Sequence, residues 1–207
     1  MAKIGILGGT FNPIHLGHIS LAKAAYEELM LDKVLIMPTG ISYLKMDQAV
    51  LNKETRAEMV KLAIKDIDYF EFSDIEIKKE GNTYTSETLE DLHKLYPLDT
   101  FYYLVGADTL FSIERWKNPD IIFNLSTLAV MNRDDANLED IKIQINHLHK
   151  VYNANIEIIN NPKIDISSTY IRQEIANNNY DKIEHMLNID VLDYIKHNNI
   201  YKWLIFM

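Results

Sequence analysis

His15 and His18 lie three positions apart, directly behind the run Gly8-Gly9-Thr10-Phe11-Asn12-Pro13 and at the start of a helical pattern. Each imidazole can donate a hydrogen bond to charge developing on a transferred oxygen. Two glycines let the backbone turn sharply and approach a ligand closely. The N–H groups at a helix start, with the positive end of its dipole, suit a phosphate. Either histidine alone reads as an incidental residue of a strand-to-helix turn, whereas the whole string from Gly8 to His18 reads as a phosphate site. A second string, Ile166-Ser167-Ser168-Thr169-Tyr170-Ile171-Arg172, puts hydroxyls at a helix start and an arginine about one turn in. Such hydroxyls and a guanidinium can hold further phosphate oxygens. By itself that string is only a capped helix carrying an arginine.

These residues need a frame that gathers strand ends and helix starts. Residues 3–7 are a short apolar run ending at Gly8-Gly9, and residues 17–30 follow with helical spacing through Ile19, Ala22, Ala25, Tyr26 and Leu29. Residues 33–37 are a second strand, closed by Pro38 and Gly40. Asn52 caps a helix reaching residue 66, with Met59, Val60, Ala63 and Ile64 on its apolar face. Residues 70–77 read as a strand, Gly81-Asn82 as a turn, and Thr85 or Ser86 as the cap of a helix to residue 95. Residues 100–105 form an apolar and aromatic strand that stops at Gly106, and residues 128–131 form another. A helix over 138–151, a strand over 156–159 and helices over 170–176, 180–187 and 191–197 complete the pattern, with Ser167 or Ser168 as a cap.

Alternating strands and helices imply an α/β protein with a doubly wound, mostly parallel sheet of five or six strands and a small C-terminal helical part. Ligands of such sheets bind beyond the carboxyl ends of the strands, where strand order reverses. No repeat or flexible linker divides residues 1–207, so a single domain is expected, with residues 165–203 as its helical part.

The composition narrows the chemistry. Without cysteine there is no disulfide scaffold, thiol nucleophile or Cys-based zinc site, and a reducing, cytoplasmic setting fits. No apolar run approaches the ~20 residues of a membrane span, and the N-terminus reads as a buried strand rather than a signal peptide. A net charge of −9 disfavours broad docking on nucleic acid but leaves small anionic ligands open. His147 and His149 are two apart on a helix and cannot face one metal together. His93, His185 and His197 have no ligand partners at metal spacing, so no protein-built metal site is expected. Homo-oligomer formation is left open.

The string GGTFNPIHLGH resembles the G-G-T-F-[DN]-P-x-H-x-G-H motif of the nucleotidyltransferases, and Ile166–Arg172 is similar to their I-S-S-T-x-I-R. The resemblance extends over nearly the whole chain and narrows to the nicotinate-nucleotide adenylyltransferases. It implies a Rossmann-like nucleotidyltransferase fold and adenylyl transfer from ATP to nicotinate mononucleotide, releasing pyrophosphate. Gly8, Gly9, Thr10, Phe11, His15, His18, Gly106, Asp108, Ser167, Ser168, Thr169 and Arg172 would bind ATP, with His15, His18 and Arg172 catalytic. Gly106-Ala107-Asp108 matches the family's G-A-D, where the carboxylate would accept from a ribose hydroxyl. Trp116 corresponds to a tryptophan that stacks on the nicotinate ring, and residues 81–88 resemble a segment of the pyridine pocket, so Tyr84 and Thr85 join the substrate site. Lys45 and Arg133 match basic residues near the phosphates. Magnesium would arrive with ATP, held mainly by its phosphates.

Two departures stand out. Asn12 replaces the commoner aspartate, and Ser42-Tyr43-Leu44-Lys45 stands where the family usually has P-P-H-K. No cation lies between Lys79 and Lys94, so backbone donors at the helix start would read the nicotinate carboxylate. Transfer to nicotinamide mononucleotide or to another phosphorylated acceptor is the alternative, as is a non-catalytic nucleotide sensor. A piece of an aminoacyl-tRNA synthetase fails on length, negative charge and the lack of a K-M-S-K-S loop.

Overall fold

The computed structural model describes residues 1–40, 50–132, 138–160 and 165–202. Six strands form one sheet: β1 (Lys3–Gly9), β2 (Lys33–Pro38), β3 (Phe70–Phe72), β4 (Thr100–Gly106), β5 (Thr127–Asn132) and β6 (Ile156–Asn160). Their spatial order is β3-β2-β1-β4-β5-β6, and every adjacent pair is parallel. The order reverses between β1 and β4, which is the switch point of a doubly wound sheet. Ladder pairing between those strands ends at Ile6 and Tyr103, although β1 runs on to Gly9 and β4 to Gly106. Beyond that pair the two strands run on without pairing, which is where doubly wound sheets hold their ligand crevice.

Alternation along the strands explains why helices cover both faces. Val34 and Ile36 of β2, Leu104 of β4 and Ala129 and Met131 of β5 enter one core with Ala22 and Ala25 of α1 (Leu16–Glu28) and Met59 and Val60 of α2 (Lys53–Ile64). Ile171 of α7 (Ser168–Ala176) and Val191 of α8 (Ile189–His197) close the same layer. Leu35, Met37, Phe101, Val105, Leu128 and Val130 point the other way. They pack on α3 (Thr85–Leu95), α4 (Ala107–Leu110), α5 (Pro119–Leu125) and α6 (Leu138–Tyr152). Period-two strands with apolar residues on both sides are what a sheet buried on both faces requires.

Three expected elements differ. The strand expected over 70–77 stops at Phe72: Ser73 N–H still reaches Ile36 O, but Asp74 begins a turn in which Lys78 N–H bonds Asp74 O. The helix expected over 180–187 is two 3-10 turns, Tyr180–Lys182 and Glu184–Met186. The cap of α3 is Tyr84 rather than Thr85 or Ser86, and its side chain makes no cap bond. Asn52 caps α2 as expected, accepting from Thr55 N–H at 2.7 Å.

Candidate active site

The first motif folds as the sequence suggests: β1 ends, the chain turns, and α1 starts with His15 as its N-cap. A side chain at Gly8 would put its Cβ 2.8 Å from the Tyr103 hydroxyl, and one at Gly9 would strike the Phe11 ring at 2.8 Å. The two glycines let these aromatic groups close on the backbone here. Phe11 takes a left-handed conformation (φ 48°) to make the turn, and its buried ring meets His18 edge-on at 5.1 Å.

His15 is buried and His18 half-buried, and their rings stack with centroids 3.7 Å apart. The His15 backbone N–H donates to His18 Nδ1 at 3.2 Å. An accepting Nδ1 carries no proton, so in the neutral ring Nε2 carries it. Nε2–H is therefore the donor of this ring.

The second motif lands on the first. Ser167 caps α7, accepting from Tyr170 N–H at 3.1 Å, and Ser168 Oγ donates to Pro13 O at 2.9 Å. Arg172 Nη1 donates to Asn12 O at 2.9 Å, while Nη2 reaches Thr169 Oγ1 at 3.3 Å. The two strings, 160 residues apart at Asn12 and Arg172, form one surface at the carboxyl end of β1. Among the expected ATP ligands, Gly106 and the exposed Asp108 stand at the carboxyl end of β4, across the crevice from Gly8 and Gly9.

The expected acceptor residues gather around a residue the sequence reading missed. Tyr103, buried on β4, meets half-buried Trp116 edge-on at 6.3 Å, and its hydroxyl lies 3.3 Å from Thr85 Oγ1. Burial raises the Tyr103 pKa far above that of a free phenol, with the Glu76 charge adding to the rise and the Thr85 bond opposing it, so the hydroxyl stays protonated. Tyr84 lies beneath Lys117, whose Nζ is 4.1 Å from the ring centre and 2.6 Å from Glu87. The α3 start therefore has a cation after all, brought from the segment after Trp116 and paired with Glu87. Lys45 and Arg133 lie outside the described residues, as does the tail 203–207.

Two further buried groups hold this corner. Glu76 accepts from Thr83 and Thr88 hydroxyls, each at 3.0 Å, and so joins the β3–α3 connection to the first turn of α3. Burial raises its pKa, opposed by those two hydroxyls, by Lys79 and by the backbone at Gly40. Arg56 on α2 is 2% exposed. The sequence carried a signal for it: positions 56, 59, 60 and 63 fall on one helical stripe, so an arginine stood in the apolar face.

A cavity of about 570 Å³ between the β3 turn and α3 is lined by Leu35, Phe72, Ile75, Leu92 and Tyr96, with Lys79 and Asp91 paired at 2.7 Å. None of the motif residues lines it. Among the described residues no group of three or more His, Asp or Glu is arranged to hold a metal, and no helix is long and apolar enough to cross a membrane.

Comparison with known proteins agrees with this geometry. The cytidylyltransferase-like family model matches residues 6–174. The chain is 36% identical over 201 residues to a probable nicotinate-nucleotide adenylyltransferase of Lachnoclostridium phytofermentans, covering 97% of this chain and 100% of that one. A relative of the same name from Dehalococcoides mccartyi is 40% identical over 200 residues, covering 96% and 97% of the two chains. In fold it is similar to the Plasmodium falciparum nicotinic acid mononucleotide adenylyltransferase complexed with NaAD, with a TM-score of 0.78 at 21% identity over 98% of each chain. The chain belongs to the cytidylyltransferase-like family and, within it, to the nicotinate-nucleotide adenylyltransferases.

Proposed function

We propose that the chain transfers the adenylyl group of ATP to nicotinate mononucleotide, giving nicotinate adenine dinucleotide and pyrophosphate, a step of NAD biosynthesis. The observation that carries the reading is the joining of the two strings through Arg172 to Asn12 O and Ser168 to Pro13 O, both at 2.9 Å. Helix-start donors, two imidazoles and a guanidinium are thereby gathered at the carboxyl end of β1, beside the switch point of the sheet.

A 5′-phosphate oxygen of the mononucleotide attacks the α-phosphorus of ATP in line. The new P–O bond forms as the α–β bridging bond breaks, and pyrophosphate leaves with that electron pair. No covalent intermediate on the protein is needed, so its contribution is positioning and charge stabilisation. His18 Nε2–H donates to the oxygens of the transferred phosphate, with His15 beside it. Arg172 and the hydroxyls of Ser167, Ser168 and Thr169 serve the β- and γ-phosphates, together with Lys45 and Arg133. Gly8–Phe11, Gly106 and Asp108 hold the nucleotide, and Trp116, Tyr84 and Thr85 hold the pyridine.

Magnesium, bound mainly by the phosphates of ATP, would neutralise charge on the leaving pyrophosphate; the exposed carboxylate of Asp108 is one donor that suits an ion bringing its other ligands with it. We read residues 1–207 as one domain of this kind, working in the cytoplasm. Pyrophosphate release with ATP, magnesium and a panel of mononucleotides tests the assignment.

A further inference from the structure

Among the described residues Arg56 makes four hydrogen bonds, and all four end on main-chain carbonyl oxygens. Nε donates to Leu51 O at 3.1 Å, Nη1 to Thr10 O at 2.8 Å, and Nη2 to Thr39 O at 2.7 Å and Gly40 O at 3.1 Å. Among the described residues no carboxylate pairs with it. Removing a guanidinium from water without a counter-ion is costly, so its carbonyl partners must be well placed. What those partners share is location. Thr10 is in the first phosphate motif, Thr39 and Gly40 follow β2, and Leu51 leads into α2.

Tyr201 grips the same turn from the other side of the chain. It is fully buried, and its hydroxyl donates to Asn12 Oδ1 at 2.9 Å. Leu51 N–H donates to the same oxygen at 3.3 Å. Tyr201 adopts a left-handed backbone (φ 67°), which a non-glycine residue takes up only when its surroundings enforce it. Asn12 thereby supplies one acceptor oxygen to two donors from distant segments.

A trans peptide points its N–H opposite to its C=O. With Thr10 O turned inward to Arg56, the N–H of Phe11 is turned outward. We infer that Arg56 and Tyr201 are positioning residues of the transfer site, fixing the peptide planes of the Thr10–Asn12 turn so that its outward face is set for a phosphate before ATP arrives. The inference rests on the adenylyl-transfer reading. Neither residue touches substrate; each acts through the backbone or through Asn12.

The test compares the parent with Arg56→Lys and Tyr201→Phe by thermal midpoint and by steady-state kinetics with ATP, magnesium and nicotinate mononucleotide, well below each midpoint. Lysine keeps the charge but not the fork, and phenylalanine keeps the ring but not the donor. Displacing reacting groups by ~1 Å can cost ~10²-fold in rate. The expected result is a fall in kcat of ~10- to 10²-fold for Arg56→Lys and several-fold for Tyr201→Phe, with the KM for ATP within a few-fold of the parent. Added guanidinium should restore part of the lost kcat in Arg56→Ala. Lower midpoints with an unchanged kcat in both variants would make the two residues folding staples and overturn the inference. Should Arg56→Lys fail to fold, Tyr201→Phe decides alone, and an unchanged kcat there overturns it equally. A parent without turnover defeats the adenylyl-transfer reading instead, so the two failures are distinguishable.

Discussion

The backbone N–H of His15 donates to Nδ1 of His18 at 3.2 Å while the two rings stack 3.7 Å apart. The helix start therefore chooses the tautomer of its own third residue and leaves Nε2–H as the donor. Buried Phe11, edge-on to His18, adds a wall that limits its rotation. A donor pre-set in this manner costs no reorganisation when charge develops on a transferred phosphate.

His18→Ala should accordingly lower kcat by ~10²–10³ and change the KM for ATP far less. Arg172→Ala should show the reverse emphasis, raising the KM for ATP, because in the proposed function it meets phosphates already charged in the ground state. It also removes the bond to Asn12 O that joins the two strings. Steady-state kinetics on both variants checks the contrast; a His18→Ala kcat within a few-fold of the parent contradicts the role given to His18.

Glu76 gives the fold a pH signature. Burial raises its folded pKa above the unfolded value, against the two threonine hydroxyls, Lys79 and Gly40. The stability this site contributes is thus full below the ordinary carboxylate range and is lost as pH rises through the raised folded value. Glu76→Gln removes the titration and places an NH₂ toward one of the two threonine hydroxyls. The parent's advantage over Glu76→Gln in thermal midpoint should be greatest in mild acid and shrink as pH rises. A difference that does not vary with pH contradicts this account.

Nicotinate mononucleotide should be preferred over nicotinamide mononucleotide by at least ~10-fold in kcat/KM. Tyr84 makes no side-chain cap bond, and Thr85, the first residue of α3, reaches the Tyr103 hydroxyl that adjoins Trp116, so an uncapped helix start borders this corner. A helix start favours an anion by about 0.3–1 kcal/mol, up to ~2 when partly buried, whereas an amide would oppose donors with donors. Lys117 adds a cation there, largely neutralised by Glu87. Measuring both substrates in one buffer decides the matter: equal values, or preference for the amide, contradict the pocket while leaving adenylyl transfer standing.

The phosphate strings were legible because their residues are consecutive: Gly8 to His18 and Ile166 to Arg172 each carry their chemistry within one turn and one helix start. The parallel sheet followed from the alternation of elements, since parallel strands need crossovers, whereas the strand order came from the structure. What escaped was what depends on contacts between distant segments. Tyr103 looked like one more aromatic of a buried strand, and its role comes from Thr85, Trp116 and Gly8 arriving from three other segments. Tyr201 reaches Asn12 across 189 residues, a pairing no local pattern encodes. The region 180–187 has helix-like spacing, yet Ile183 and Leu187 are buried there with only the 3-10 turn Glu184–Met186 between them. Spacing of apolar residues does not distinguish the two when a segment is this short.

The central claim is that two phosphate-holding helix starts, brought together at Asn12 and Arg172, perform adenylyl transfer to a pyridine mononucleotide. Pyrophosphate release tests it most directly, with ATP, magnesium and each member of a panel containing nicotinate mononucleotide, nicotinamide mononucleotide and phosphopantetheine. The account predicts release only when ATP, magnesium and a pyridine mononucleotide are all present, fastest with the nicotinate form. Tight binding of ATP with no turnover on any member of the panel would contradict it and identify the chain as a nucleotide sensor.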